Sequence, residues 1–246
     1  MGNADVVGDL HRLIAFDLDG TIVDSRRDLA DSANELITEL GGTALPEEDI
    51  ARMVGEGAAL LVRRALAAAG VRDVRTALAR FLEIYDTRLL RHTRVYEGMV
   101  DVVRFARSLG HVAVLTNKPK APSERILDGL GIRDLFDEVV GGDGPLGRKP
   151  DPAGLNALMR DFGATSNTTM LIGDSAIDHE TAIRAGVRGC LVSFGFGFQN
   201  LPQDRLRGDE WIATDTSQLR AILEKFAELT EVTDGAVSRE ERSKRR

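Results

Sequence analysis

The chain contains 246 residues, and 43% of them are hydrophobic, which argues against bulk disorder and allows a sizeable core. No apolar run reaches the roughly 18–20 residues that a membrane span needs, and the first twelve residues lack the hydrophobic region of a secretory signal. A single cysteine, Cys190, excludes an intrachain disulfide, and a net charge of −7 argues against a nucleic-acid-binding surface. We therefore expect a cytoplasmic protein without nucleic-acid or membrane partners.

Short apolar runs alternate with helical patterns along the chain. The runs are unalternating and are bounded by Gly, Asp or Asn, which is typical of strands buried on both faces of a parallel sheet. The predicted strands are Leu13–Phe16, Val112–Leu115, Glu138–Val140, Thr169–Ile172, Cys190–Ser193 and Trp211–Ala213. The predicted helices that separate or follow them are Val100–Ser108, Ser123–Leu130, Ala153–Phe162, Thr181–Ala185 and Thr216–Leu229. This alternation predicts an α/β fold with a doubly wound parallel sheet.

One interval breaks the alternation. About 95 residues separate the first two strands, whereas a crossover between parallel strands needs only about a dozen. The excess carries helical patterns at residues 29–40, Glu47–Met53, Ala58–Ala69 and Val74–Leu90. The predicted division is a helical cap of residues 25–95, an α/β core of residues 12–24 and 96–230, and flexible tails of residues 1–11 and 231–246. The second tail ends in a basic stretch.

Pairs of carboxylates follow two of the predicted strands at their carboxyl ends, where ligands bind in open α/β sheets. Asp17 and Asp19 come directly after the first strand, and carboxylates so close stay ionised only beside a cation or hydrogen-bond donors. Asp174 and Asp178 follow the fourth strand, spaced to lie on one face of a helical turn. Oxygen ligands of this kind suit Mg²⁺. Each pair alone is explained equally well by an ordinary turn or a helix cap.

Three further polar residues extend the pattern. Thr116 and Asn117 follow the second strand, and a hydroxyl and an amide can donate to phosphate oxygens. Lys149 lies in a Gly/Pro-rich loop and is one of only five lysines, against 27 arginines. Taken singly, these residues are more often a helix cap and a solvent-exposed charge. Their occurrence together with the two acidic pairs, after four strands of one predicted sheet, indicates a shared site.

These residues resemble the motifs of the haloacid dehalogenase superfamily of phosphatases, from about residue 12 to residue 229. The matching motifs are Asp17–Thr21, Thr116, Lys149 and Gly173–Asp178. Within the superfamily the chain is most similar to the bacterial phosphoglycolate phosphatases. The segments that carry this similarity are DGTIVDS (Asp19–Ser25), VGEGAALLVRRAL (Val54–Leu66), TNKP (Thr116–Pro119), GGDGPLGRKPDP (Gly141–Pro152) and GDSAIDHETAIRAG (Gly173–Gly186). The predicted cap corresponds to the helical cap of that family.

The resemblance implies a Mg²⁺-dependent phosphomonoester hydrolase that acts through an aspartyl-phosphate on a small phosphorylated metabolite, with 2-phosphoglycolate as the expected substrate. It implies that Asp17 is the nucleophile and that Asp19 is the general acid and base. The implied metal ligands are Asp17, the backbone carbonyl of Asp19, and Asp174. The residues implied to hold phosphate oxygens are Thr116, Asn117 and Lys149. Asp178 and Ser175 are implied to support them.

The predicted cap offers candidates for recognising the rest of the substrate. Residues 24–95 contain no lysine, so arginine is the available cation for a substrate carboxylate. Arg64, on the helix after Gly55-Glu56-Gly57, matches the phosphoglycolate phosphatase pattern and is the predicted reader. A solvated charge or a partner for Glu56 is the alternative. Ser25 and Asp28 have the spacing of a helix-capping box, and we expect that structural role for Ser25.

Other functions stay open at this point. A pyrophosphatase or sugar-phosphate phosphatase of the same superfamily is the main alternative. Asp19 argues against a dehalogenase, and the lack of lysine in residues 24–95 argues against phosphonate cleavage through a Schiff base. A phospho-accepting signalling module or a silent binding protein would share the acidic pocket, although receiver domains are about half this length and lack the predicted cap.

Overall fold

The computed structural model describes residues 11–72, 75–202, 206, 208 and 210–244, with the backbone alone from residue 231 onward. Apart from His11, the predicted N-terminal tail lies outside this range. In the residues that the structure describes, no helix has both the length and the apolar composition of a membrane span.

The described residues form a parallel sheet with helices on both faces, which confirms the predicted fold class. The strands are β1 (Leu13–Phe16), β2 (Val23–Asp24), β3 (Arg94–Val95), β4 (His111–Leu115), β5 (Glu138–Val140), β6 (Thr169–Gly173), β7 (Arg188–Val192) and β8 (Trp211–Ala213). Six of them make the parallel sheet, in the order β5-β4-β1-β6-β7-β8. The other two, β2 and β3, pair antiparallel. They were not predicted because a two-residue strand is too short to show a periodic pattern.

The central strand β1 is buried on both faces. It lies between β4 and β6, and Ile14 pairs with Val112 on one side and with Met170 on the other. Ile14 packs into the core on one face of the sheet, while Leu13 packs into the core on the opposite face. This double burial explains the unbroken apolar run in the sequence. Cys190 on β7 is buried as predicted, and burial raises the pKa of its thiol to about 12.

The helices match the predicted pattern except at their ends. They are α1 (Arg26–Glu39), α2 (Glu47–Ala51), α3 (Ala58–Ala68), α4 (Ala77–Asp86), α5 (Met99–Leu109), α6 (Lys120–Gly129), α7 (Ala153–Asp161), α8 (Ala176–Ala185) and α9 (Thr216–Lys244). Helix α9 continues past its predicted end at Leu229 and through the predicted C-terminal tail as far as Lys244. Its Arg, Glu and Lys residues have high helix propensity, which the prediction underweighted.

Helices α1 to α4 form the part of the chain that we call the cap, residues 25–95. The β2–β3 pair lies at its base, where Val23 pairs with Val95. Helix α1 packs against both α2 and α4. One continuous apolar cluster contains Ile37 of the cap and Ile14 of the sheet. The cap is therefore packed onto the core through buried apolar side chains.

Asp28 joins the first cap helix to the end of the cap. Its carboxylate is 1% exposed and accepts hydrogen bonds from the His92 N–H at 2.9 Å and from the Thr93 N–H and Oγ1 at 2.8 Å each. The capping box predicted for Ser25 and Asp28 is therefore wrong, and Ser25 makes no side-chain cap hydrogen bond. The hydrogen-bond donors of the buried Asp28 carboxylate come from His92 and Thr93, more than 60 residues later in the chain. The spacing of neighbouring residues cannot reveal such a long-range contact.

Candidate active site

The predicted polar residues meet at the carboxyl edge of the sheet. Strands β1, β4 and β6 are neighbours, so they bring together Asp17, Thr116 and Asp174, of which each directly follows its strand. Lys149 reaches the same place from the loop between β5 and α7. This is the crevice in which open α/β sheets bind ligands.

Lys149 links two buried carboxylates. Its Nζ lies 2.8 Å from Asp17 Oδ1 and 2.6 Å from Asp178 Oδ1, and its side chain is 3% exposed. Burial lowers the pKa of Lys149, but the charges of Asp17 and Asp178 outweigh that effect and raise the pKa above its ordinary value. Lys149 is therefore held charged beside the predicted nucleophile.

Asp178 is held by protein donors at both oxygens. Besides the Lys149 contact on Oδ1, its Oδ2 accepts hydrogen bonds from the Ser175 N–H at 3.1 Å and from Ser175 Oγ at 2.6 Å. The contact with the Ser175 N–H is also part of the capping box that begins α8. Asp178 thus fixes the position of Lys149.

Asp174 lies in a cradle of glycine backbone. The Gly197 N–H donates to Asp174 Oδ2 at 2.7 Å. A Cβ atom at Gly20 would lie 1.9 Å from the same oxygen, and a Cβ atom at Gly195 would lie 2.3 Å from Asp174 Cβ. Gly20 also has a φ of +84°, which disfavours any other residue. Glycine at these positions allows the backbone to approach the carboxylate closely.

The three buried carboxylates crowd one another. Oxygens of Asp17, Asp174 and Asp178 lie within 4.8 Å of each other. Burial raises the pKa of Asp17 to about 6 against the lowering effect of Lys149, and the charge of Asp178 adds to the rise. Burial, followed by the charges of Asp178 and Asp17, raises the pKa of Asp174 well above its usual range. A single ammonium leaves this charge unbalanced.

These residues fit a hard divalent cation such as Mg²⁺. The available donors are carboxylate oxygens, which Mg²⁺ prefers, and a cation would relieve the crowding of Asp17 and Asp174. The backbone carbonyl of Asp19, the third predicted ligand, accepts no hydrogen bond within the described residues. Asp178, in contrast, already has protein donors on both oxygens. The donor set thus agrees with the predicted ligands Asp17, Asp19 and Asp174.

Asp19 has partners of its own. Ser25 Oγ donates to Asp19 Oδ1 at 2.6 Å, and Lys118 Nζ lies 3.0 Å from Oδ1 and 2.8 Å from Oδ2. Sequence reasoning assigned Ser25 to a helix cap and gave Lys118 no role. The available signal for Lys118 was its place directly after Thr116-Asn117 at a strand end. The two oxygens of Asp19 are thereby oriented by one hydroxyl and one ammonium.

Thr116 and Asn117 differ in what they can offer to a phosphate. Thr116 Oγ1 accepts a hydrogen bond from the Lys118 N–H at 3.2 Å, and its hydroxyl hydrogen has no acceptor among the described residues. Asn117 Nδ2 donates to the carbonyl of Gly55 at 2.9 Å and to that of Lys149 at 3.0 Å. Both amide hydrogens of Asn117 are used, so its side chain links cap and core and has none left for the predicted phosphate contact.

Backbone N–H groups supply donors that the sequence does not reveal. Within the part of the chain that is described, the N–H groups of Leu18, Asp19 and Asn117 have no hydrogen-bond partner. They belong to the segments that directly follow β1 and β4. Unpaired N–H groups at such a site can bind the oxygens of an anion.

A cavity of about 50 Å³ separates the cap from these groups. The residues that line it from the core include Asp17, Asp19, Thr116, Asn117 and Lys118. Those that line it from the cap include Gly55, Gly57, Leu61, Phe81 and Tyr85. The cavity is therefore polar at the sheet edge and largely apolar under the cap.

Arg64, the predicted carboxylate reader, does not line this cavity. Its guanidinium lies 2.5 Å from Glu56 Oε1, and the two side chains are 41% and 43% exposed. Arg64 thus takes the alternative role of a partner for Glu56. Of the nearby residues singled out from the sequence, Gly55 and Gly57 reach the cavity wall.

Comparisons with known proteins agree with this site. The family model for haloacid dehalogenase-like hydrolases matches residues 14–192. A phosphoglycolate phosphatase of Rhodospirillum rubrum is 40% identical over 194 residues, which cover 75% of this chain and 80% of that protein. One from Pseudomonas putida is 39% identical over 77% of this chain and 72% of its own length.

A similar structure has also been solved. The crystal structure described as a predicted phosphoglycolate phosphatase from Haemophilus somnus superposes with a TM-score of 0.79 and 29% identity. The match covers 86% of this chain and 97% of that one. The similarity thus extends over both cap and core.

The crowding of Asp17 predicts a pH-dependent effect on stability. Because folding raises its pKa from 3.8 to about 6, the folded protein binds the proton more tightly, and stability falls as pH rises across that interval. In metal-free protein at pH 7, Asp17→Asn is expected to raise the free energy of unfolding, on the order of 2 kcal/mol, because the amide carries no charge. Urea unfolding in excess chelator measures this.

The same measurement at pH 4 is the control, because the carboxyl is then largely protonated in the folded state and the gain should shrink. A gain of equal size at both pH values, or a loss of stability at pH 7, would contradict the proposed crowding.

Proposed function

The chain belongs to the haloacid dehalogenase-like hydrolases and is a phosphoric monoester hydrolase, and from that premise we propose that it hydrolyses 2-phosphoglycolate through a phosphorylated Asp17, with Mg²⁺ as cofactor. The observation that carries the mechanism is the pair of carboxylates at one cavity with separate partners. Asp17 is held by Lys149, and Asp19 by Ser25 and Lys118. Two differently held carboxylates can take two chemical roles.

The first step would transfer the phosphoryl group to the protein. An oxygen of Asp17 attacks the phosphorus and the bond from phosphorus to the ester oxygen breaks, while Asp19, which enters the step protonated, gives its proton to the leaving alkoxide. The products are aspartyl-phosphate and glycolate. Ser25 and Lys118 orient Asp19 for this transfer, and Lys149 holds the attacking carboxylate.

The second step would regenerate the enzyme. Asp19, now a carboxylate, accepts a proton from a water molecule that attacks the same phosphorus. The bond from phosphorus to Asp17 breaks and inorganic phosphate is released. We propose that the free Thr116 hydroxyl and the unpaired N–H groups of Leu18, Asp19 and Asn117 hold the phosphoryl oxygens in both steps, because these donors are otherwise unused among the described residues.

The proposed metal site uses Asp17, Asp174 and the backbone carbonyl of Asp19. These residues would hold Mg²⁺, which would supply positive charge between the carboxylate of Asp17 and the phosphate dianion. The chain's own contribution is to hold Asp174 in its glycine cradle through the Gly197 N–H.

The proposed substrate rests on two supports. Relatives that are 36–40% identical carry the name phosphoglycolate phosphatase. The cap residues that line the cavity, among them Leu61, Phe81 and Tyr85, also limit the size of the group that can follow the ester oxygen.

A panel of phosphate compounds, ranked by kcat/KM, tests the proposed function. We expect 2-phosphoglycolate to rank above pyrophosphate and sugar phosphates, with turnover lost on chelation and recovered with Mg²⁺. A higher kcat/KM for pyrophosphate would show that 2-phosphoglycolate is not the preferred substrate. Full turnover after verified removal of metal would contradict the requirement for Mg²⁺. No turnover of any compound would contradict the proposed phosphatase activity.

The role of Asp19 predicts a dependence on the leaving group. Asp19→Asn should slow hydrolysis of 2-phosphoglycolate by about 10²-fold or more, because an amide cannot protonate the alkoxide. An aryl phosphate should lose less, since its leaving group needs little protonation. Steady-state kcat on both esters measures the difference, and equal losses would remove Asp19 from the acid role.

A further inference from the structure

The cavity under the cap contains few polar groups away from the phosphate end. Its described lining includes a single cationic side chain, that of Lys118. From the cap, Tyr85 is the lining residue with a hydroxyl group, and the cap residues beside it are apolar or glycine. These two residues are the available means of recognising what lies beyond the ester oxygen.

Lys118 is placed next to the proposed acid. Its side chain is 5% exposed, and its Nζ lies 2.8 Å from Asp19 Oδ2 and 3.0 Å from Oδ1. An ammonium has three N–H donors, and these contacts occupy two of them. The carboxylate of Asp19 thus holds this ammonium at the cavity wall.

Tyr85 contributes from the opposite wall. It belongs to α4, is 4% exposed, and its ring stacks on Phe81 with centroids 5.8 Å apart. Lys118 Nζ lies 4.7 Å from the centroid of the Tyr85 ring. The buried Tyr85 hydroxyl interacts with the Lys118 ammonium, and no described residue lies at hydrogen-bond distance to accept its hydrogen. Burial raises the pKa of this hydroxyl to about 12, so it keeps its proton and can donate.

A buried hydroxyl without an acceptor for its hydrogen is costly, and its position on a cavity wall indicates a ligand that supplies the missing acceptor. The Lys118 ammonium, which interacts with this hydroxyl, brings a positive charge to the same space. A carboxylate satisfies both, because it offers two oxygens and a negative charge.

We propose that Lys118 and Tyr85 together bind the carboxylate of the substrate and so select short carboxylate-bearing phosphate esters. This inference rests on the proposed phosphatase function. The distance from the reacting oxygen to Lys118 agrees with this proposal. Asp19 would protonate the ester oxygen, and Lys118 lies one hydrogen bond beyond Asp19. In 2-phosphoglycolate the carboxylate carbon is two bonds from that oxygen. A longer ester would carry its anionic group past this point.

The test compares 2-phosphoglycolate with ethyl phosphate, which has the same chain length and a methyl group in place of the carboxylate. Tyr85→Phe keeps the ring that packs on Phe81 and removes only the hydroxyl. We expect it to lower kcat/KM for 2-phosphoglycolate by about tenfold or more, mainly through KM, as for a hydrogen bond to a charged group. Turnover of ethyl phosphate should change less than about twofold.

Tyr96→Phe is the matched control. Tyr96 also has a buried hydroxyl without a partner, but it does not line the cavity. This variant should leave the ratio of the two kcat/KM values unchanged. A second variant, Lys118→Met, should lower turnover of both esters because Asp19 loses its partner, and should lower 2-phosphoglycolate further than ethyl phosphate.

The remaining outcomes separate the carboxylate proposal from the phosphatase function. An equal fall in kcat/KM for both esters in Tyr85→Phe, or no fall for either, would overturn the carboxylate proposal and leave the phosphatase function standing. A ratio that shifts in Arg64→Ala but not in Tyr85→Phe would assign the carboxylate to Arg64 and overturn the proposal. If the wild-type protein hydrolysed neither ester nor any other phosphate compound, the proposed function itself would fail.

Discussion

Three carboxylates are buried at one edge of the sheet, and Lys149 lies between two of them. Asp17, Asp174 and Asp178 repel one another, and the single ammonium leaves the group short of positive charge. The surrounding structure answers this constraint with the donors on Asp178, the Gly197 N–H on Asp174, and an oxygen-rich site suited to a divalent cation. Three carboxylates with one ammonium leave a net negative charge, and a divalent metal ion would balance it.

The parts of this arrangement that depend on local sequence could be predicted. β1 is recognisable because both its faces are buried, which leaves an unbroken apolar run. Asp17 and Asp174 stand out because a charged residue directly after such a run needs a partner. The parallel order of strands then brings them together, although neither position alone distinguishes a site from an ordinary turn.

The parts that depend on the packing of the cap onto the core could not be predicted. Ser25 and Asp28 have the spacing of a helix-capping box. In the structure Asp28 accepts a hydrogen bond from Thr93, and the Ser25 hydroxyl donates to Asp19. Arg64 is favoured by its charge and by its match to the family pattern, and only the fold shows that it pairs with Glu56 away from the cavity. Tyr85 has the position of an ordinary core residue in an amphipathic helix, and only the fold shows that its hydroxyl lies beside Lys118 with no acceptor for its hydrogen.

The central claim is that Asp17 becomes covalently phosphorylated during turnover. Rapid mixing with 2-phosphoglycolate, quenching in acid and reduction with borohydride would convert an aspartyl-phosphate into homoserine, which peptide mass spectrometry can locate. We predict homoserine at position 17. Homoserine at another carboxylate, or none in any peptide while phosphate is released within the same mixing time, would contradict the mechanism.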